Sequence, residues 1–271
     1  MIKKLYPGGK AKAFNITYDD GVLQDVRFVE LMNKYGLKGT FNLNSGLMET
    51  EFEWTHRNGM VVKRLPTTVV AELYRGHEVA SHTLTHPYLS SLTEAEIMEE
   101  MTKDKKNLER LTGKPVLGFG GPFHHWGPEV VECAKRCGFE YARNAEERYC
   151  YAPPEEYYYW SAGSYHIMPG FWDFVEGFFR TEEELALCQI VGHTYDLDAE
   201  DMWDDMESVL KRVAEDESIA SMTNLELVRY LKAMRSAVIS EDKIKNPSDL
   251  PLWFEWNGNP ICVEPGRAWL G

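Results

Sequence analysis

Two short segments carry the residue types that catalysis needs. Thr17-Tyr18-Asp19-Asp20-Gly21 sets two carboxylates side by side at the end of an alternating run. Adjacent carboxylates repel, and a site tolerates them where a cation or a shared proton offsets the repulsion. On a regular strand neighbouring side chains point to opposite faces, but Gly21 can break that geometry and let both acids face one site. Taken alone, the pair also reads as an ordinary helix N-cap. The second segment is His82-Thr83-Leu84-Thr85-His86-Pro87. His-x3-His is a familiar zinc spacing because residues four apart on a helix share a face. Here Pro87 biases His86 away from helical torsions, so the pair is expected in a strand-end loop, where two exposed histidines would be the plainer reading. Taken together the segments say more. Two histidines and one aspartate make the three-ligand set of an open catalytic zinc site with water in the fourth position. The second aspartate is then free to take a proton from that water. Ile190-Val191-Gly192-His193 closes a further strand, and His193 could act as general acid for a leaving group.

These residues need a scaffold that brings strand ends together. The patterning predicts strands over residues 11–18, 39–43, 78–81, 115–119, 139–143, 190–193 and 219–222. Helices are expected over 22–35, 67–74, 93–111, 128–137, 182–188, 200–215 and 224–234. Thr93-Glu94-Ala95-Glu96 reads as a capping box opening one of them. Alternation of this kind predicts parallel βαβ units, hence an α/β barrel or a doubly wound sheet, with chemistry at the carboxyl ends of the strands. After Met234 the pattern changes. Two apolar runs flank Asn257-Gly258-Asn259, a hairpin signal. The expected organisation is a barrel over residues 1–237 and a small β-hairpin appendage over 238–271 packed on it.

At this point the sequence resembles the polysaccharide deacetylases of the NodB-homology type, carbohydrate esterase family 4. Residues 17–21 resemble that family's Thr-Phe-Asp-Asp-Gly motif, residues 81–87 its His-Ser/Thr-x-x-His motif, and residues 190–193 its closing Leu-x-His motif. The order and spacing fit across residues 11–237. The resemblance implies a distorted (β/α)7 barrel. It also implies Asp19 as catalytic base, Asp20, His82 and His86 as metal ligands, and His193 as the acid that protonates the departing group. The implied reaction is attack of a metal-bound water on an acetyl carbonyl of an N-acetylated amino sugar or acetylated saccharide. The metal is expected to be zinc, with cobalt or nickel open. Two departures stand out. Gly120-Gly121-Pro122-Phe123 occupies the place of Arg-x-Pro-Tyr/Phe, whose arginine steadies the base, and the Asp-x-x-Asp-Trp motif has no clear counterpart beyond Trp172-Asp173. Such losses fit a subgroup that orients Asp19 and His193 differently. Cyclic amide or imide hydrolysis on the same fold, and a catalytically impaired carbohydrate binder, are the alternative functions.

Pro122, Phe123, Trp172 and Tyr195 are the candidates for holding a saccharide. His124-His125-Trp126 could line the same groove. Tyr157-Tyr158-Tyr159-Trp160 suits either sugar stacking or core packing, and Asp196 and Asp198 either tune His193 or cap a helix. Cys133 and Cys137, four apart on a helix, read as small buried hydrophobes.

Composition narrows the partners. The 271 residues (31.2 kDa) include 29 basic and 43 acidic side chains, for a net charge of −14. Such a surface repels phosphate backbones and anionic lipid, so neither nucleic acid nor a membrane is expected as a partner, and a homo-oligomer is left open. The first ten residues lack the apolar run of a signal peptide, and five cysteines at irregular spacing read as reduced thiols. A cytoplasmic location is expected, although a chain trimmed of a leader would read the same.

Overall fold

A computed structural model describes residues 2–48, 50, 52–123 and 126–271. Nine strands form one parallel sheet: β1 (Lys12–Asp20), β2 (Thr40–Leu43), β3 (Glu78–Ser81), β4 (Gly118–Gly120), β5 (Tyr141–Glu147), β6 (Trp160–Ala162), β7 (Ser164–Tyr165), β8 (Ala186–Gly192) and β9 (Ile219–Ser221). Their spatial order is β7-β8-β1-β2-β3-β4-β5-β6, with β9 paired to the first half of β1. The two ends of that order, β6 and β7, are separated in sequence by Gly163 alone. The sheet therefore curls until its ends meet there, giving a distorted barrel. Gly163 is required for close approach, since a Cβ there would run into the carbonyl of Gln189.

Helices α1 (Asp25–Lys34), α2 (Thr67–Leu73), α3 (Glu94–Thr112), α4 (Pro128–Arg136), α5 (Phe171–Arg180), α6 (Thr194–Ala199), α7 (Trp203–Glu215) and α8 (Asn224–Ser236) follow the strands. The Thr93–Glu96 capping box opens α3 as expected. The apolar faces of the helices and the inner faces of the strands share one large core that includes Phe14, Ile16, Phe28, Phe41, Phe119 and Ile190. Among the described residues no helix is long and apolar enough to cross a membrane.

Beyond β6, β7, α5 and α6, which the patterning does not predict, three parts of the chain differ from the sequence expectation. Residues 182–188, read as helical, give way to β8, whose seven residues are all buried. A parallel strand covered on both faces is a continuous apolar run, which periodicity does not separate from a buried helix. Between β2 and α2 the chain inserts a short helical turn (Ser45–Met48) and an antiparallel hairpin of Glu53–Thr55 and Val61–Lys63. The tail forms more than a hairpin. Leu252–Trp256 and Asn259–Val263 pair around Asn257-Gly258, and Ile2–Leu5 adds a third strand to them. Val238–Ser240, Lys243–Lys245 and Ala268–Leu270 make a second small sheet. Leu252, Phe254 and Val263 share a second core with Leu227, Tyr230 and Leu231 of α8 and with Tyr6.

His77, just before β3, ties two layers together. Its Nδ1 accepts from the Gly39 amide at 3.2 Å and its Nε2 lies 3.2 Å from Asn33 Oδ1 at the end of α1. This pairing uses a neutral ring, and burial holds the imidazole down at about 4. Above pH 6.5 both folded and unfolded chains carry a neutral His77. Between 6.5 and 4 only the unfolded chain takes the proton, so stability falls across that window as pH drops. Urea unfolding at pH 7.0 and 5.0 should show a smaller acid loss in His77→Gln than in the wild type, and an unchanged loss would contradict this assignment.

Candidate active site

The carboxyl ends of the strands surround a cavity of about 210 Å3 lined by Asp19, Asp20, His82, His86, Arg143 and His193 among others. The helix-cap reading of the aspartate pair drops out, because α1 begins at Asp25 with Gln24 at its N-cap. β1 instead extends through Asp20, which takes φ +88° and is followed by Gly21 at +65°. This left-handed step turns both acids into one site. An L-residue held at such a φ marks a functional position when its surroundings fix it. Thr83 (+67°), His86 (+56°) and Phe123 (+58°) at the same rim share this strain.

Asp20, His82 and His86 each offer a donor atom, and the three lie within 4.8 Å of one another. Three observations fit this set to a divalent cation. Asp20 Oδ1 is buried and accepts no hydrogen bond. His82 Nδ1 lies 2.6 Å from the Gly120 carbonyl, which fixes the proton on Nδ1 and turns the Nε2 lone pair toward Asp20. Burial lowers the His82 imidazole to about 4 and lowers that of His86, so both are neutral donors near pH 7. Burial alone would raise the Asp20 carboxyl. Arg64 and the histidines His193, His86 and His82 outweigh it and hold the group well below the usual carboxylate range.

The supports of these donors lie far away in sequence. Asp104, buried on α3, accepts from Ser81 Oγ at 2.6 Å, from Ser45 Oγ at 2.6 Å and from the His82 amide at 3.3 Å, fixing the end of β3. Asn44 donates to the carbonyls of His82 and Thr83, holding the histidine loop. Arg64 follows the inserted hairpin. Its Nη1 donates to the Asp20 carbonyl and to Asn44 Oδ1 at 3.0 Å, and it lies 3.0 Å from Asp20 Oδ1. Arg64 was invisible in the sequence, because a lone arginine between Val61-Val62-Lys63 and Leu65-Pro66 carries no motif.

Asp19 faces the same cavity and is held on Oδ1 by Asn42 Nδ2 at 2.7 Å and by Arg143 Nη2. Arg143 lies on β5 and is wholly buried. Sequence reasoning missed it too, since it looked for an arginine at position 120. His193 caps β8 with its Nε2 3.7 Å from Asp20 Oδ2. Its Nδ1 meets Asp196 Oδ2 at 3.0 Å and the Tyr165 hydroxyl at 2.6 Å. Burial alone would depress His193, but the hydrogen bond to Asp196 and the charges of Asp20, Asp196 and Asp19 push it up to about 9. Of the two downstream acids, Asp196 therefore serves His193, whereas Asp198 accepts from the Trp203 indole at 2.7 Å.

The aromatic candidates divide. Phe123, which follows β4, and Tyr195, which follows β8, both line the cavity. Phe123 stacks on Tyr88 at 3.8 Å, and Tyr195 stacks on His193 at 4.6 Å and meets Trp54 edge-on at 5.4 Å. Pro122 is buried behind Phe123 in sequence and is not part of the lining. Trp172 is 41% exposed outside the cavity lining, because α5 buries Phe171, Phe174, Val175 and Phe178 and turns the next position outward. Asp173 is exposed with it. Tyr157 and Trp160 are core residues, and Cys133 is buried on α4. His124 and His125 lie outside the described residues.

A parallel barrel with acids, imidazoles and aromatics gathered at its strand ends is the architecture of a barrel enzyme with a polar, donor-rich active site. The family model for polysaccharide deacetylases matches residues 7–142, half of the chain, and the chain belongs to that family. A peptidoglycan-N-acetylglucosamine deacetylase of Bacillus cereus is 27% identical over 131 residues, 48% of this chain and 54% of that protein. The chain thus spans about half the length of that relative. A chitin deacetylase of Pestalotiopsis sp is 30% identical over 102 residues, 37% of this chain and 30% of that protein. Among solved structures, a polysaccharide deacetylase candidate from Mycobacterium smegmatis superposes with TM-score 0.62 at 14% identity, over 86% of this chain and 94% of that one. A family 4 acetyl xylan esterase from Clostridium thermocellum in complex with a cobalt ion gives TM-score 0.53 at 11% identity, over 79% and 89%. At these identities the superpositions establish the distorted barrel and nothing finer.

The donor set makes a direct prediction for metal binding. Purified protein equilibrated with zinc and desalted should retain close to one equivalent by elemental analysis. His82→Ala and Asp20→Asn should each lose most of it, and Asp19→Asn should keep it. Retention by His82→Ala would remove the proposed ligand set.

Proposed function

We propose that this chain is a metal-dependent hydrolase that removes acetyl groups from an N-acetylated amino sugar or acetylated saccharide. The observation that carries the reading is the division of labour between two adjacent carboxylates. Asp20 points at two neutral imidazoles, while Asp19, held on one oxygen by Asn42 and Arg143, faces the same cavity from a different direction. The family membership and the printed activities of the relatives support the acetyl group as the target.

Asp20, His82 and His86 would hold the cation, zinc foremost. When bound, a divalent cation supplies Lewis acidity that polarises the acyl carbonyl and lowers the pKa of water. The remaining steps belong to the chain's own groups. Asp19 accepts a proton from the attacking water as its oxygen bonds to the acyl carbon. Both of its hydrogen bonds end on Oδ1, which leaves Oδ2 for that proton. His193, kept protonated by Asp196, then gives a proton to the departing nitrogen or oxygen as the C–N or C–O bond breaks. The products are acetate and an amine or alcohol. Arg64, Arg143 and His193 offset the two carboxylates, so acetate forms in surroundings that do not repel it. Phe123 and Tyr195 supply the aromatic part of the cavity lining against which a pyranose ring would pack.

Acetate release from chito-oligosaccharides, N-acetylated monosaccharides and acetylated xylan, run beside a panel of cyclic imides, tests the assignment. Activity confined to the imides would replace it. Within an active panel, Asp19→Asn should lower kcat by about 10²–10⁴-fold, the usual contribution of a positioned base, while zinc content stays at the wild-type level.

A further inference from the structure

We infer that Arg143 is the positioning residue for Asp19, and that Gly120 is glycine because the Asn42 amide and the Arg143 guanidinium together occupy the space its side chain would fill. The inference rests on the reading of Asp19 as the base.

Gly120 and Arg143 are register partners on the neighbouring strands β4 and β5. The Arg143 side chain crosses the barrel interior beside Gly120. Its Nη1 donates to the Asn144 carbonyl at 3.2 Å and its Nη2 donates to Asp19 Oδ1 on β1. A Cβ built on Gly120 would stand 2.7 Å from Asn42 Cγ, 2.8 Å from Asn42 Oδ1 and 2.9 Å from Arg143 Nη2. These contacts belong to the two side chains that hold the Asp19 carboxylate. Gly120 is not among the residues at positive φ, so its backbone conformation places no demand for glycine. Space does. A side chain at 120 would crowd both donors of Asp19 at once.

Burial makes the pairing compulsory. Arg143 is fully buried and Asp19 is only 8% exposed. Leaving either charge without the other costs far more than an exposed pair would. The guanidinium and the Asn42 amide converge on one oxygen and anchor it. Arg143 thus acts through Asp19 and does not reach the reacting atoms itself.

The test combines Gly120→Ala and Arg143→Ala, singly and together, with Arg143→Lys as the conservative variant. Unfolding midpoint and zinc content are read for all of them, and acetate release wherever the wild type turns over. Gly120→Ala should lower the unfolding midpoint in the wild-type background and lower it by less in the Arg143→Ala background, where the guanidinium is gone and the Asn42 amide has room to shift. Arg143→Ala should reduce kcat by about 100-fold with KM within about threefold and zinc content unchanged, and Arg143→Lys should recover part of that loss. Equal midpoint losses from Gly120→Ala in both backgrounds would overturn the shared-space argument. Turnover in Arg143→Ala within about threefold of wild type would overturn the positioning role. If Arg143→Ala does not fold, Arg143→Lys carries the same comparison: relief of the Gly120→Ala penalty supports the inference and an undiminished penalty refutes it. The midpoint arm needs no substrate. A wild type that releases no acetate would therefore remove the deacetylase reading without deciding the relation between Gly120 and Arg143.

Discussion

The site depends on placing two neighbouring, buried carboxylates in one cavity without letting them repel each other apart. Asp19 and Asp20 are 8% and 4% exposed. The structure offsets each with its own arginine: Arg143 from the opposite side of the barrel for Asp19, and Arg64 from the inserted hairpin for Asp20. The backbone supplies the other half of the solution. Asp20 sits in the left-handed region, and Arg64 bonds to its carbonyl as well as approaching its carboxylate, so one side chain fixes both the strain and the charge.

That arrangement explains why the barrel is built as it is. Asp19, Asn42, His82, Gly120, Arg143, Tyr165 and His193 come from or follow seven different strands. A sequential parallel barrel is a simple way to bring seven strand ends to one point, because each helix returns the chain to the same starting face. The supports are long-range for the same reason. Asp104 reaches the His82 loop from α3, and Tyr165 reaches His193 from β7.

The residues that announce themselves in the sequence are those whose partners are close in the chain. Asp19-Asp20-Gly21 and His82 through His86 form contiguous patterns, and the alternation of strands and helices follows from local periodicity. Arg143 meets Asp19 across 124 residues and Arg64 meets Asp20 across 44, and nothing local distinguishes either from a surface arginine. The absence of arginine at 120 was legible, but its replacement from the next strand was not, since register between parallel strands is fixed by tertiary packing. Trp172 misled for a related reason. An aromatic next to an aspartate suggests a sugar platform, yet the helical phase of α5 decides where it points, and Phe171 takes the inward position. The helix expected over 182–188 failed because a doubly covered strand has no alternation to read.

The strand Ile2–Leu5, paired to Leu252–Trp256, acts as a clasp. It joins segments separated by about 250 residues, a loop whose closure from an unfolded chain costs on the order of 5 kcal/mol in entropy. Once the barrel has formed, that distance is already spanned and little of the cost remains. The clasp is therefore the contact least able to form early in folding and the one that most depends on the barrel being complete. It makes the small peripheral sheet a consequence of the site-bearing scaffold, so a lesion there should loosen the molecule's seam while the strand ends that gather the acids and histidines keep their arrangement.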